Sequence, residues 1–372
     1  MLTLPYQTFP PTSTVPPYYF PKILLVAYQL GTLLSRNLSR FQNLQNSVSL
    51  RVSTVLPQEV MVLSSSAFYI PFQSIDFVKE FLVKKYENLH LNNAQSLAYQ
   101  NGYSFLYYLE MGKQYVDQAA VAPMATRPVL LFYGCVQWMK ACLLTVDPEY
   151  PGTTQVLAHG VTARKRKKQG YAFWEDEIKV QKEGLFPYFS DRLFHVKQLT
   201  GEKYTMNTLL RRIPELAPVI ERMFGSPVLF PLTRSDRSSS VSDHLLKTLE
   251  MDVPRFDAWL KSFGLPSSST KTKGQLDIIS DNRIEDHPFL TTRDQQGVSW
   301  LPAFRTDYLP LPELMCHYLI LYNLSMVCRY ETEWWCELLH TFPGHDYPCI
   351  HAFLNTTSVK LPLLIERVLS SD

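Results

Sequence analysis

His159 and the five consecutive cations Arg164, Lys165, Arg166, Lys167 and Lys168 are the residues whose types and spacing could do chemistry in this chain of 372 residues. An imidazole titrates near neutral pH, so His159 could move a proton or hold a phosphate, although a histidine leaving a helix more often bonds a backbone carbonyl. The cationic run could neutralise the phosphates of a nucleotide or of RNA. Against that, Glu175-Asp176-Glu177 follow closely, and the chain has no Gly-rich phosphate loop. One short run is most often a solvated face. Among its functional uses, docking of a protein stands ahead of phosphate or nucleic-acid binding.

A second cluster of chemical types lies near the C-terminus: Cys328, Cys336, His340, His345, Cys349 and His351. Cys336 and His340 are four residues apart and would share a helix face, which suits two ligands of a tetrahedral zinc site. No CxxC knuckle accompanies them, and Trp334, Trp335, Leu338 and Leu339 give the segment an ordinary amphipathic pattern. Structural cysteines and surface histidines, with no metal, are the expectation. No GxSxG elbow and no Cys/His protease signature is present, so no catalytic constellation and no cofactor fingerprint emerge.

The elements that must position these residues are mainly helical. Val129 to Val146 is apolar nearly all round, with Gln137 and Lys140 near its middle. A lysine at the centre of a membrane span costs about 2.5 to 3.5 kcal/mol, so a buried helix is expected. Thr126-Arg127-Pro128 starts it and Gly134 allows one close crossing. Pro312 to Cys328 is a second helix apolar on every side, and the two should pack together. Ser74 to Tyr86, Tyr103 to Glu110, Tyr115 to Ala122, Met206 to Ile213, Glu215 to Phe224, Asp243 to Met251, Phe256 to Phe263 and Glu331 to His340 read as further helices, with a short terminal one at Leu361 to Leu369. Asn92-Asn93 offers a cap, and Gly225 a stop. Ile178 and Val180 with Leu185 and Phe186 flank Lys182-Glu183-Gly184 as a hairpin, while Val228 to Leu232 and Leu276 to Ile279 are strands. A Ser-rich connection (Ser235, Ser238 to Ser240, Ser242) and the linker-like stretch Pro266 to Gly274 join the later elements. The fold class is therefore mainly α (α+β), a helical bundle core with a few short strands or hairpins.

At 46% hydrophobic the chain can bury a large core, and a net charge of +2 gives no global attraction to nucleic acid or anionic membrane. The six cysteines sit mostly in apolar helical patterns, which suits reduced core thiols in the cytoplasm. Residues 1–60 carry only Lys22, Arg36, Arg40, Arg51 and Glu59 as charges and read as a poorly ordered extension or a start-site artefact preceding Met61. Ile23 to Leu34 is a weak match to a secretory signal. Residues 61–372 read as a single globular domain.

The stretches AHGVTARKRKKQ at 158–169, LLFYGCVQWMKACLLTVDPEYP at 130–151, SLAYQNGYSFLYYLEMG at 96–112, QKEGLFP at 181–187 and LMCHYLILYNLSMVCRYETEWW at 314–335 resemble the YaaC-like protein family of Bacillus and its relatives. The resemblance runs from about Met61 to the C-terminus, and its helical parts are similar to the HEPN superfamily. It implies no established reaction. Many HEPN members are RNases that use an Arg and a His separated by a short spacer, and the one fit here is Arg237 with His244. A spacing so loose matches by chance, which leaves His159, Arg237 and His244 as weak catalytic candidates. Genes of the family often neighbour that of IMP dehydrogenase, which implies a link to purine nucleotide metabolism and a purine-nucleotide enzyme as protein partner. The expected function is thus a cytoplasmic, non-enzymatic regulatory or interaction protein that uses His159 and residues 164–168 as its contact surface. The alternative is a HEPN-like RNase or other nucleic-acid-processing enzyme.

Overall fold

The computed structural model describes residues 67–163, 171–235, 238–342 and 344–371, all within one compact unit, Glu59–Asp372. The fold is mainly helical, with short antiparallel strands, as its hydrophobic patterns predict. The extension expected at residues 1–60, with its signal-like stretch, lies outside the described residues.

Helix α1 (Ile75–Asn88) starts where the Ser74 side chain accepts from the Phe77 amide at 3.4 Å, and it buries Val78, Leu82 and Tyr86. Helix α2 (Ala94–Val121) is one continuous element of 28 residues, where the sequence predicts two shorter ones. Gly112 falls in the gap between those two. A Cβ there would stand 2.2 Å from Cδ1 of Trp138, so Gly112 admits the indole against the backbone, and Trp138 Nε1 donates to Leu109 O at 3.0 Å. Helix α3 (Arg127–Val146) runs beside α2, and the expected close crossing at Gly134 is present: an added Cβ would lie 2.8 Å from Val116 Cγ2 and 3.2 Å from the Gly112 carbonyl.

Helix α3 is long and apolar enough to cross a membrane by composition, yet 67% of its apolar window is buried inside the body. Its main apolar neighbours are α2 and α9 (Glu313–Tyr330), which is buried along most of its length. Phe132 meets Tyr318 and Tyr322 at ring-centroid distances of 5.4 and 5.6 Å, so the two apolar helices do pack together. Helices α10 (Thr332–Thr341) and α11 (Asp346–Ser370) close the bundle. The predicted short terminal helix at Leu361 to Leu369 is the last part of α11, which has 25 residues and carries Pro362 inside it. A proline weakens a helical pattern read locally, but α11 packs on α3 and α9, and tertiary contact overrides it.

Strands β1 (Val161–Ala163), β2 (Glu177–Val180) and β3 (Lys203–Thr205) form an antiparallel sheet in that order. The predicted hairpin at Lys182-Glu183-Gly184 is absent, because helix α4 (Leu185–Phe194) begins directly after Gly184. Gly184 is required by contact: a Cβ on it would stand 2.3 Å from Gly160 Cα. Helices α5 (Met206–Leu210) and α6 (Ala217–Phe224) follow, the latter stopped by Gly225 at φ +77°.

A smaller, β-rich cluster occupies the middle of the chain. Strands β4 (Leu229–Pro231), β9 (Thr292–Arg293) and β10 (Ser299–Pro302) make one sheet; β5 (Thr233–Arg234), β6 (Ser238–Ser242), β7 (Ser267–Thr272) and β8 (Gln275–Ser280) make another. Helices α7 (His244–Thr248) and α8 (Val253–Ser262) supply Leu245, Phe256 and Leu260 to its core. Two expectations are corrected here. The Ser-rich connection contains β6, and the linker-like 266–274 stretch contains β7. Lys273 and Gly274 both have positive φ, the geometry of a two-residue hairpin turn, and Thr272 faces Gln275 across it. The serines of these strands are held by side-chain partners elsewhere, Ser240 Oγ donating to Asp277 at 2.5 Å and Ser269 Oγ to Asp257 at 2.5 Å.

Candidate functional site

Strand β1 leads straight into the cationic run, and His159 stands just before it. The His159 ring meets Phe132 edge-on at 5.0 Å and Tyr322 at 5.7 Å. Its carbonyl accepts from Tyr318 Oη at 2.8 Å and from the Phe186 amide at 3.2 Å. Burial lowers its pKa, and Arg329 and Lys140 lower it further, so the imidazole is held neutral. No carboxylate hydrogen bond to the ring is recorded among the described residues. His159 therefore holds the start of β1 against α3 and α9. Next to it, Leu185 N donates to Ala158 O at 2.7 Å and Gln181 N to Gly160 O at 2.9 Å.

Arg164, Lys165, Arg166, Lys167 and Lys168 lie outside the described residues. The chain on either side of them is firmly anchored. Ala163 pairs with Ile178 in the β1–β2 ladder. On the far side, Tyr171 donates to Asp176 Oδ2 at 2.9 Å and packs its ring against Trp334 at 4.7 Å. Burial and the Asp176 charge both raise the Tyr171 pKa, which keeps the phenol protonated as the donor. Asp176 also accepts from the buried Asn323 amide at 2.8 Å, which ties this strand entrance to the centre of α9.

A cleft of about 380 Å³ is lined by Tyr171, Trp174, Phe224, Trp334, Leu338 and His345, together with Glu175 and Asp346. Trp174 stacks on Phe224 at 4.9 Å, and Phe224 meets His345 at 5.3 Å. Asp346 accepts from the Phe173 and Trp174 amides at 2.7 and 3.1 Å. Burial raises its pKa, and those two amide bonds oppose the rise. The cleft is open, and its walls are mainly aromatic.

The model of the YaaC-like protein family matches residues 70–369. The chain belongs to the YaaC-like family. No curated protein and no solved structure matches it.

Other sequence candidates in this YaaC-like protein are scattered. Arg237 lies outside the described residues, and His244 is exposed at the start of α7, with its ring 5.9 Å from Phe230 in the β-rich cluster. Cys336, His340, His345 and His351 are exposed on or near α10 and α11, whereas Cys349 is buried. No group of three potential metal ligands occurs among the described residues.

Sequence reasoning missed the aromatic cleft and a buried ionic network. Lys360 on α11 bonds Glu215 Oε2 at 2.6 Å and Glu313 Oε1, with His317 3.6 Å from Glu313 and 2.9 Å from Thr357. Burial alone would push both carboxyls up. Lys360 and His317 more than reverse this for Glu313, whereas Glu215 stays raised. A lysine flanked by Val359 and Leu361 was the available signal.

Proposed function

We propose that this YaaC-like protein is a non-enzymatic regulatory or interaction protein of the cytoplasm. It binds a protein partner through the cationic segment 164–168 and the aromatic cleft beside Tyr171. The observation that carries this reading is the anchoring of both flanks. Ala163 is fixed in a sheet, and Tyr171 is fixed by Asp176 and Trp334 in the wall of an open cleft. Five cations between two fixed points attract acidic groups and speed encounter, while the cleft takes an apolar or aromatic anchor of the same partner. The surrounding polar groups are hydrogen-bonded to one another, as Asp176 is to Asn323 and Tyr171 and as Asp346 is to two backbone amides. That arrangement supports a rigid platform. A partner from purine nucleotide metabolism, such as IMP dehydrogenase, is the first to try.

The RNase reading has weaker support, since His244 is exposed beside the β-rich cluster and His159 is held among aromatic rings. The test of the main reading is affinity capture of a purified candidate partner by the full chain. Reversing Arg164→Glu and Lys165→Glu should abolish capture, and Trp174→Ala should weaken it, with thermal unfolding unchanged in the charge-reversed protein. Capture that survives both changes defeats the proposal. Degradation of total RNA by the native protein, lost in His159→Ala or His244→Ala, would establish the enzyme instead.

A further inference from the structure

Helix α2 carries a row of tyrosines that the rest of the described chain does not cover. Tyr99, Tyr103 and Tyr107 are 70%, 51% and 56% exposed, and their spacing of four puts them on one face with Ser96, Glu110 and Gln114. From Asn88 to Leu109 the chain contains no Asp, Glu, Lys or Arg. Exposed helix faces normally carry charge, and the cores of protein interfaces are where charge is depleted and tyrosine enriched. Alongside the C-terminal half of this ridge runs a groove of about 440 Å³ whose apolar wall is Ile70, Phe72, Leu106 and Leu109. Ridge and groove therefore lie side by side along one helix, offset along its axis.

We propose that this face binds a second copy of the chain, with the two α2 helices antiparallel about a two-fold axis near Tyr103 to Tyr107. A two-fold contact brings a surface onto itself, so it needs a protrusion and a recess on the same patch and tolerates no like charge near the axis. Both conditions are met. The apposition sets Tyr99 of each copy against the groove of the other, because residues before the axis face residues after it. It also joins opposite charges. The Lys79 ammonium lies 4.6 Å from the Tyr99 ring and 5.9 Å from that of Tyr103, at the start of the ridge. Glu110 lies at its end and accepts from Gln114. Reversed helices place the lysine of one copy beside the glutamate of the other. Lys113 is already paired with Asp117 at 2.5 Å and adds no unbalanced charge.

Sedimentation equilibrium of the full chain tests this directly. The native protein is expected to be a dimer at micromolar concentration. Tyr103→Arg, which sets two cations together near the axis, should raise the dissociation constant about tenfold or more, as a hot-spot residue does. Lys79→Glu and Glu110→Lys should each weaken the dimer, and the two together should restore it, a recovery that simple misfolding cannot produce. A native protein that stays monomeric overturns the proposal, whatever else covers the ridge. So does a dimer indifferent to Tyr103→Arg and to the charge exchange.

Discussion

The helical body and the β-rich cluster differ in how they hold charge: the body buries a lysine with its carboxylates, whereas ion pairs of the cluster such as Lys271–Asp243 and Arg293–Asp286 are at least partly exposed. In the body, Lys360 is 1% exposed and holds two carboxylates, and Asn323 and His317 are fully buried on α9. In the cluster, partly exposed strand serines bond carboxylates, as Ser267 and Ser269 on β7 do with Asp257 of α8, and the buried polar residues include hydroxyls such as Ser239, Thr292 and Ser299, with no buried lysine among the cluster's described residues. Buried charge must be matched completely or it destabilises, whereas rim hydrogen bonds can exchange with water. The body should therefore respond to change as a whole and the cluster locally. Arg212 joins the two regions, donating to the Phe289, Asp307 and Leu311 carbonyls at 3.0 to 3.2 Å.

The largest effect should come from Lys360→Met, which leaves Glu215 and Glu313 facing each other without a cation. Loss of about 3–5 kcal/mol in urea unfolding is expected, and adding Glu215→Gln and Glu313→Gln should recover most of it. Persistence of native stability in the single variant would remove the first half of the comparison. Gly112→Ala comes next: its methyl collides with the Trp138 ring, and a global loss of about 1–3 kcal/mol or more should follow. Asp257→Ala probes the other half. About 1 kcal/mol is expected, with hydrogen exchange accelerated in β7 and α8 and unchanged in α3 and α9.

The smallest effect is that of pH. The His159 pKa is lowered in the folded protein, so the unfolded chain binds the proton more readily. Its contribution to stability is complete above the unfolded value of about 6.5 and is lost as pH falls from there toward the folded value. His159→Phe should flatten the stability profile in that window and leave it unaltered at higher pH. A profile with the same slope in both proteins would place the titration elsewhere.

Much of the body could be read from residue patterns. Helices α3 and α9 are apolar on nearly every side, which favours burial, and Gly134 marks the close crossing of α3 with α2. The continuity of α2 was hidden because the predicted helices leave a gap from Met111 to Gln114, and the Gly112 within it is explained only by Trp138 on another helix. Strands β6 and β7 were hidden because their serines carry little strand preference and are held by Asp257, Asp277 and the β8 ladder. The site divides in the same manner. His159 and the cations stand out as a contiguous segment, whereas Tyr171, Phe224 and Trp334 come together only through the packing of three separate regions. Contacts between remote positions leave no local period to read.

The central claim is the proposal that residues 164–168 and the cleft beside Tyr171 bind a protein partner, with the β-rich cluster uninvolved. Lysine cross-linking of the captured complex, followed by peptide mapping, addresses it most directly. The account predicts partner links at Lys165, Lys167 and Lys168 and at neighbouring Lys179 and Lys182. Links concentrated at Lys247, Lys261, Lys271 and Lys273, on the β-rich cluster, would contradict it.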